Sequence, residues 1–241
     1  NDALNGKYLI CSVGMSNAQQ EFLKFMQNTA VRQTAGIISS KVAMYNGAAT
    51  GATIEVLKVQ AHAYWTDLVA ALAAAGYGQA QVQIVWLKAT YDNPPNAKFT
   101  TKIAAMKADL ITIAQNVKFH FTNSKLCYLA SRIYGGYTCQ CNRSEPYMYE
   151  EAFGVTDTIE AQINGDAGLT PIPTVAPWLA WGPYLWRDGT REQYLGGTYW
   201  EYADFEMDDG YHPSAAGEAK VALELQTFFE TDTTTTPWYL A

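Results

Sequence analysis

Histidine is scarce in this sequence of 241 residues: there are three, at positions 62, 120 and 212, so imidazole chemistry has few places to sit. Cysteine is sparse too, at 11, 127, 139 and 141. Cys11 and Cys127 fall inside apolar runs and read as buried thiols. Cys139 and Cys141 form a C-x-C in a Gly/Tyr-rich loop, which offers too few ligands for a metal and names no disulfide partner. Lys and Arg number 16 against 23 Asp and Glu, a net charge of −7, and no stretch is rich in bases. A phosphate backbone would meet net repulsion, so nucleic acid is not an expected partner. No apolar run approaches the roughly 20 residues of a membrane span. The longest, 68–76, is a short alanine-rich segment, and no membrane partner is expected.

What is present is core material. Hydrophobic residues make up 49% of the chain, and at this length about 70–75% of the unfolded surface disappears on folding. The chain starts at Asn1, and Trp (7) and Tyr (16) are plentiful. With so few bases, that is the pattern of a secreted protein whose leader has been removed.

Apolar periodicity alternates along the chain. Residues 7–13 read as a strand ending at Gly14, and 19–33 carry Phe22, Phe25 and Met26 at helical spacing. Strand 42–45, helix 64–75, strand 82–87, helix 98–116 and strand 126–130 follow. Segment 131–174 is a long excursion containing a helix at 149–163. Strand 175–180 is weakened by Pro177 and belongs at an edge. Ser214 caps a last helix reaching about Phe229. Strands alternating with helices predict an α/β fold: a three-layer α/β/α sandwich around a parallel sheet of about five strands, with sites beyond the strands' carboxyl ends. One domain over 1–230 is expected, with an insertion at about 131–174 and a Thr-rich tail or linker at 231–241.

His62 and His120 lie in or beside apolar helical segments and read as structural or merely exposed. His212 differs, because Asp209 precedes it by three residues in a turn with Gly210 and Pro213. That spacing lets a carboxylate fold onto Nδ1 and leaves Nε2 as a base; equally, it suits an Asx turn before a helix cap. Ser16 sits in the turn after the first strand (Gly14-Met15-Ser16-Asn17), near a helix's positive end. It is either a nucleophile beside an oxyanion-stabilising N–H or a plain N-cap. The loop 46–53 follows the second strand, and Gly51 there permits close approach of a backbone N–H. As a phosphate cradle the loop lacks the Walker lysine and a third glycine.

Together, Gly14-Met15-Ser16-Asn17, the loop through Gly51 and Asp209-Gly210-Tyr211-His212-Pro213 resemble the SGNH (GDSL-type) hydrolases in order and spacing. The resemblance implies a flavodoxin-like hydrolase fold with no cofactor. It makes Ser16 the nucleophile, His212 and Asp209 the base and its orienting acid, and the N–H groups of Ser16 and Gly51 the oxyanion hole. The serine block departs from the usual G-D-S in having Met15. The block after the third strand, Leu87-Lys88-Ala89-Thr90-Tyr91-Asp92-Asn93, lacks the family's clear asparagine donor. Thr90 takes that place by counting, with Lys88 or Asn93 as alternatives.

Asp204, Glu206 and Asp208 recur at calcium-loop spacing, but Gly210 comes one place late and position twelve is Ala215; an acidic solvated turn is expected and no metal. Aromatic residues crowd the later loops, among them Tyr134, Tyr137, Tyr149, Trp181, Tyr184, Trp186, Tyr194 and Trp200. Such rings either bind sugar faces or pack the loops. Asn17, Lys88, Arg132, Trp181 and Trp186 are the candidate substrate contacts, and Arg132 and Arg187 otherwise pair with Glu145, Glu150 or Glu151. The resemblance implies a secreted serine esterase, foremost a carbohydrate O-acetylesterase acting on a small or polymeric ester. The alternatives are a lipase- or thioesterase-like enzyme and a non-catalytic carbohydrate-binding protein on the same scaffold.

Overall fold

The computed structural model describes residues 6–138, 140, 143–171, 175–189 and 199–241. Cys139, Cys141 and Tyr194 lie outside the described residues. Five strands, β1 (Tyr8–Gly14), β2 (Val42–Tyr45), β3 (Val82–Lys88), β4 (Leu126–Leu129) and β5 (Trp178–Trp181), form one parallel sheet in the order β2-β1-β3-β4-β5. Every residue of β3 is buried, as a central strand covered on both faces must be. The two-residue alternation of strand side chains builds the layers. Leu9, Cys11, Val13, Val85, Leu87, Cys127 and Leu129 join one core, and Ile10, Ile84, Trp86 and Tyr128 join the other.

Helices α1 (Ser16–Thr34) and α6 (Ala215–Thr231) close the second core with Phe22, Phe25, Val221, Leu225 and Phe229. The first core is covered by α2 (Ile54–Leu57), α3 (Ala63–Ala74), α4 (Phe99–His120) and α5 (Tyr147–Ile163). The expected α/β/α sandwich is therefore present. Burial pushes the thiols of Cys11 and Cys127 up to about 12, so both stay protonated inside the first core. No helix among the described residues is long and apolar enough to cross a membrane.

Three boundaries differ from expectation. The fifth strand starts at Trp178, after Pro177, which has no N–H for the ladder, and it forms the sheet edge. Segment 131–174 is no insertion: α5 packs on α4 and β5 as the regular crossover from β4 to β5, preceded by a long loop. Segment 231–241 packs onto the body of the domain. Its short helix α7 (Thr236–Tyr239) carries the fully buried Tyr239 into the second core, where the hydroxyl meets Thr29 Oγ1 at 3.0 Å. Leu240 also bridges to Ile38.

Candidate active site

The carboxyl ends of β1 and β3 meet at Gly14 and Lys88. Gly14 has φ +153°, and a Cβ there would lie 2.1 Å from the Lys88 carbonyl oxygen, so only glycine lets the chain turn here. Met15 takes the N-cap position without a side-chain cap, and Ser16 becomes the first residue of α1. Its hydroxyl is not spent on capping. Instead Ser16 Oγ lies 2.8 Å from His212 Nε2, across 196 residues of sequence.

His212 is held by its own turn. Asp209 Oδ1 accepts the backbone N–H groups of Tyr211 (2.8 Å) and His212 (2.9 Å), while Oδ2 faces the ring Nδ1 at 2.5 Å. The Asx turn and the carboxylate–imidazole contact are thus both present, one on each oxygen. Burial works to raise the Asp209 carboxyl, but the hydrogen bonds from the His212 ring and the two N–H groups outweigh it and hold it below the usual range. Glu206 N–H donates to the His212 carbonyl at 2.8 Å, and Phe205 bridges to Pro213, closing the loop on itself.

Loop 46–53 is tied to the same edge. Ser12 Oγ donates to Asn46 Oδ1 (2.8 Å), Asn46 Nδ2 to the Gln19 carbonyl (2.7 Å), and Ala49 N–H to the Gly14 carbonyl (2.9 Å). Gly51, at φ +80°, then reaches the cleft. Two cavities meet there. One, of about 410 Å³, is lined by Ser16, Gln19, Gln20, Thr50, Glu206, Asp208, Asp209 and His212. The other, of about 440 Å³, shares Ser16, Thr50 and His212 and adds Gly51, Glu55, Asp92, Asn93 and Arg143.

The structure brings Ser16, Asp209, His212 and Gly51 to this cleft, and Asn93 lines it too; the other candidates lie elsewhere. Thr90 is fully buried with its hydroxyl bonded to the Glu151 carboxylate, so it lines neither cavity. Lys88 is fully buried too, its Nζ 2.5 and 2.6 Å from the Glu21 oxygens. Asn17 is turned inward, donating from Nδ2 to the Tyr211 carbonyl at 3.1 Å. It docks the residue beside His212 just as Ser16 meets His212 itself. Arg132, 1% exposed, donates to the Tyr211 hydroxyl at 2.7 Å and acts from behind the turn. Trp186 donates to Glu145 Oε1 at 2.8 Å and packs on Tyr149, Trp181 packs on Tyr184, and neither lines these cavities. Arg187 pairs with Glu224, not with Glu145, Glu150 or Glu151.

Asp204 is not solvated: it is 2% exposed and takes Lys220 Nζ at 2.5 Å, drawn away from Glu206 and Asp208. Among the described residues no three His, Cys, Asp or Glu side chains converge as metal ligands. His62 caps α3, accepting the Tyr64 N–H at 3.1 Å, and His120 stacks on Trp65 with ring centroids 5.0 Å apart.

Sequence reasoning misses Arg143. Its guanidinium lies 4.8 Å from the centre of the Tyr211 ring, pairs with the Asp92 carboxylate and borders the cavity of Ser16. No local pattern marks it, since the partners come from two distant loops.

No family model and no curated protein matches the chain. Among solved structures it is similar to a lipase from a goat rumen metagenome, with 10% identity and a TM-score of 0.48 over 92% of this chain and 97% of that one. It is also similar to protein YxiM from Bacillus subtilis, with 12% identity and a TM-score of 0.49 over 93% of this chain. A third is a salicylyl-acyltransferase from a tetracycline biosynthetic pathway, with 12% identity and a TM-score of 0.46 over 95% of this chain. The chain spans 56% and 55% of the length of the latter two. At TM-scores below 0.5 these likenesses say nothing of what this chain does.

Proposed function

We propose that the chain hydrolyses carboxylic esters through a serine acyl-enzyme of the SGNH type. One observation carries this: Ser16 Oγ, both ring nitrogens of His212 and Asp209 Oδ2 form an unbroken line at the cleft, with contacts of 2.8 and 2.5 Å. His212 Nε2 takes the Ser16 proton as Oγ attacks the carbonyl carbon. Asp209 keeps the other proton on Nδ1 and stabilises the imidazolium. The C–O bond to the alcohol breaks as Nε2 returns the proton to it. Water, activated by the same nitrogen, then releases the acid and frees Ser16.

Backbone N–H groups of Ser16 and Gly51 receive the oxyanion, the former at the positive end of α1. Thr90 and Lys88 are buried elsewhere, and Asn93, which borders the same cavity, donates its Nδ2 to Asp92 Oδ2 at 3.3 Å, so the third donor is Arg143, whose charge borders that cavity. On the His212 side the residues lining the cavity, among them Gln19, Gln20, Thr50, Glu206 and Asp208, all carry hydrogen-bonding side chains. That favours a hydroxyl-rich leaving alcohol, which supports the carbohydrate-ester reading, with acetyl as the smallest acyl group served.

Turnover of p-nitrophenyl acetate, butyrate and octanoate by wild type and Ser16→Ala tests the reading. Hydrolysis by the wild type falling about 10⁶-fold in the variant is expected, the scale of removing such a serine. Equal rates in both would favour the non-catalytic carbohydrate-binding alternative.

A further inference from the structure

Across loop 46–53 lies a third cavity, of about 470 Å³, within the range of about 300–1,000 Å³ usual for small-molecule sites. One wall is a face of α3, where Tyr64, Leu68 and Ala71 fall at helical spacing; the opposite wall is Ala48, Ala49 and Ala52. The walls are pre-formed: the Tyr64 hydroxyl donates to the Gly47 carbonyl at 2.9 Å, which fixes its ring. Asn46 at the rim has its amide committed to Ser12 and Gln19; Tyr45, His62 and Asp67 also border the cavity, but most of its lining is apolar, and the Asp67 carboxylate disfavours an anionic group there.

The position of this cavity decides which part of an ester it takes. It shares Thr50, Gly51 and Val56 with the cavity of Ser16 and Arg143, but His212 does not line it. A carbonyl carbon bonded to Ser16 Oγ has three other substituents. The oxygen points to the N–H groups of Ser16 and Gly51. The leaving oxygen must reach His212 Nε2 for its proton. Only the acyl group is left to cross Gly51, away from the imidazole.

We propose that this cavity is the acyl subsite, and that it takes apolar, ring-sized acyl groups such as benzoyl or phenylacetyl in preference to acetyl. The assignment rests on the serine-esterase reading. Its test compares methyl benzoate, benzyl acetate and methyl acetate by acid release, with wild type, Ala71→Trp and Ala73→Trp. Ala71 and Ala73 are both exposed on α3, and only Ala71 lines the cavity. The wild type is expected to favour benzoate over acetate in kcat/KM, and Ala71→Trp to cut that ratio about tenfold or more, the usual discrimination of a hydrophobic pocket. Ala73→Trp is expected to leave it unchanged. A ratio insensitive to Ala71→Trp, or a loss confined to benzyl acetate, overturns the assignment.

A second arm needs no turnover: benzoate and acetate are titrated onto the Ser16→Ala protein by calorimetry, with and without Ala71→Trp. Tighter binding of benzoate that Ala71→Trp abolishes supports the cavity's ligand class even if no ester is cleaved, a result that would sink the esterase reading alone. Equal binding of both acids counts against the cavity itself.

Discussion

The polar groups at the carboxyl edge of the sheet fall into two sets that differ in their access to water. Asp209 and His212 have side chains 21% and 29% exposed, whereas Glu21 and Lys88, one turn along α1 and at the end of β3, are completely closed off. The open set can change protonation during a reaction, because water and the cleft accommodate the charge. In the closed set, holding a charge is costly. Burial pushes the Lys88 ammonium down to about 8 despite Glu21 beside it, and pushes the Glu151 carboxyl up to about 7 despite Arg132. The closed set joins α1 to β3 beneath the turn of Ser16, and the open set is the one that the proposed reaction uses.

That division makes activity and stability separable, and substitutions can break it. The largest expected effect is on the open side. Asp209→Asn should lower kcat for p-nitrophenyl acetate about 10⁴-fold, because an amide N–H opposes the proton on Nδ1. Its Oδ1 still accepts the N–H groups of Tyr211 and His212, so the thermal midpoint should barely move. A large drop in melting temperature would show that the turn, not the tautomer, had failed.

On the closed side, Lys88→Met should cost about 3–5 kcal/mol in denaturant unfolding, since it leaves Glu21 buried and unpaired. The double variant Glu21→Leu/Lys88→Met should recover most of that loss. Singles that cost nothing would erase the distinction between the two sets. Next in size, Arg143→Ala should lower kcat by about 10²–10³ with little change in KM, the effect of one lost oxyanion donor. Stability should change little, because its ion pair with the half-exposed Asp92 is worth about 0–1 kcal/mol.

The smallest effect is in pH. Glu151 keeps its proton to a higher pH when folded than when unfolded, so the folded state binds the extra proton between 4.5 and about 7. Stability should fall as pH rises through that window. Glu151→Gln should flatten the fall, which melting curves at successive pH values would show.

The strands and the two turns are legible in the sequence because each is local, whereas their joining into one relay is legible only through the SGNH resemblance. An apolar run ending in Gly14 places Ser16, and a three-residue spacing places Asp209 against His212. Lys88, Thr90 and Asn17 mislead for a shared reason. Their types suggest an open cleft, but each points inward to a partner from a distant element: Glu21, Glu151 and the Tyr211 carbonyl. The same distance hides Arg143, whose place depends on Asp92 and Tyr211. Trp181 and Trp186 stand out by composition, which cannot tell a ring facing a cleft from one packed on its neighbours. At the C-terminus, the threonine run masked Tyr239 and Leu240, whose apolar side chains hold the tail to the core.

A fluorophosphonate probe tests the central relay most directly, because it phosphonylates only an activated serine hydroxyl. Labelling confined to Ser16 in peptide mass spectra, and lost in His212→Ala, is the expected result. A wild-type protein that stays unlabelled, or one labelled at another serine, would contradict the account.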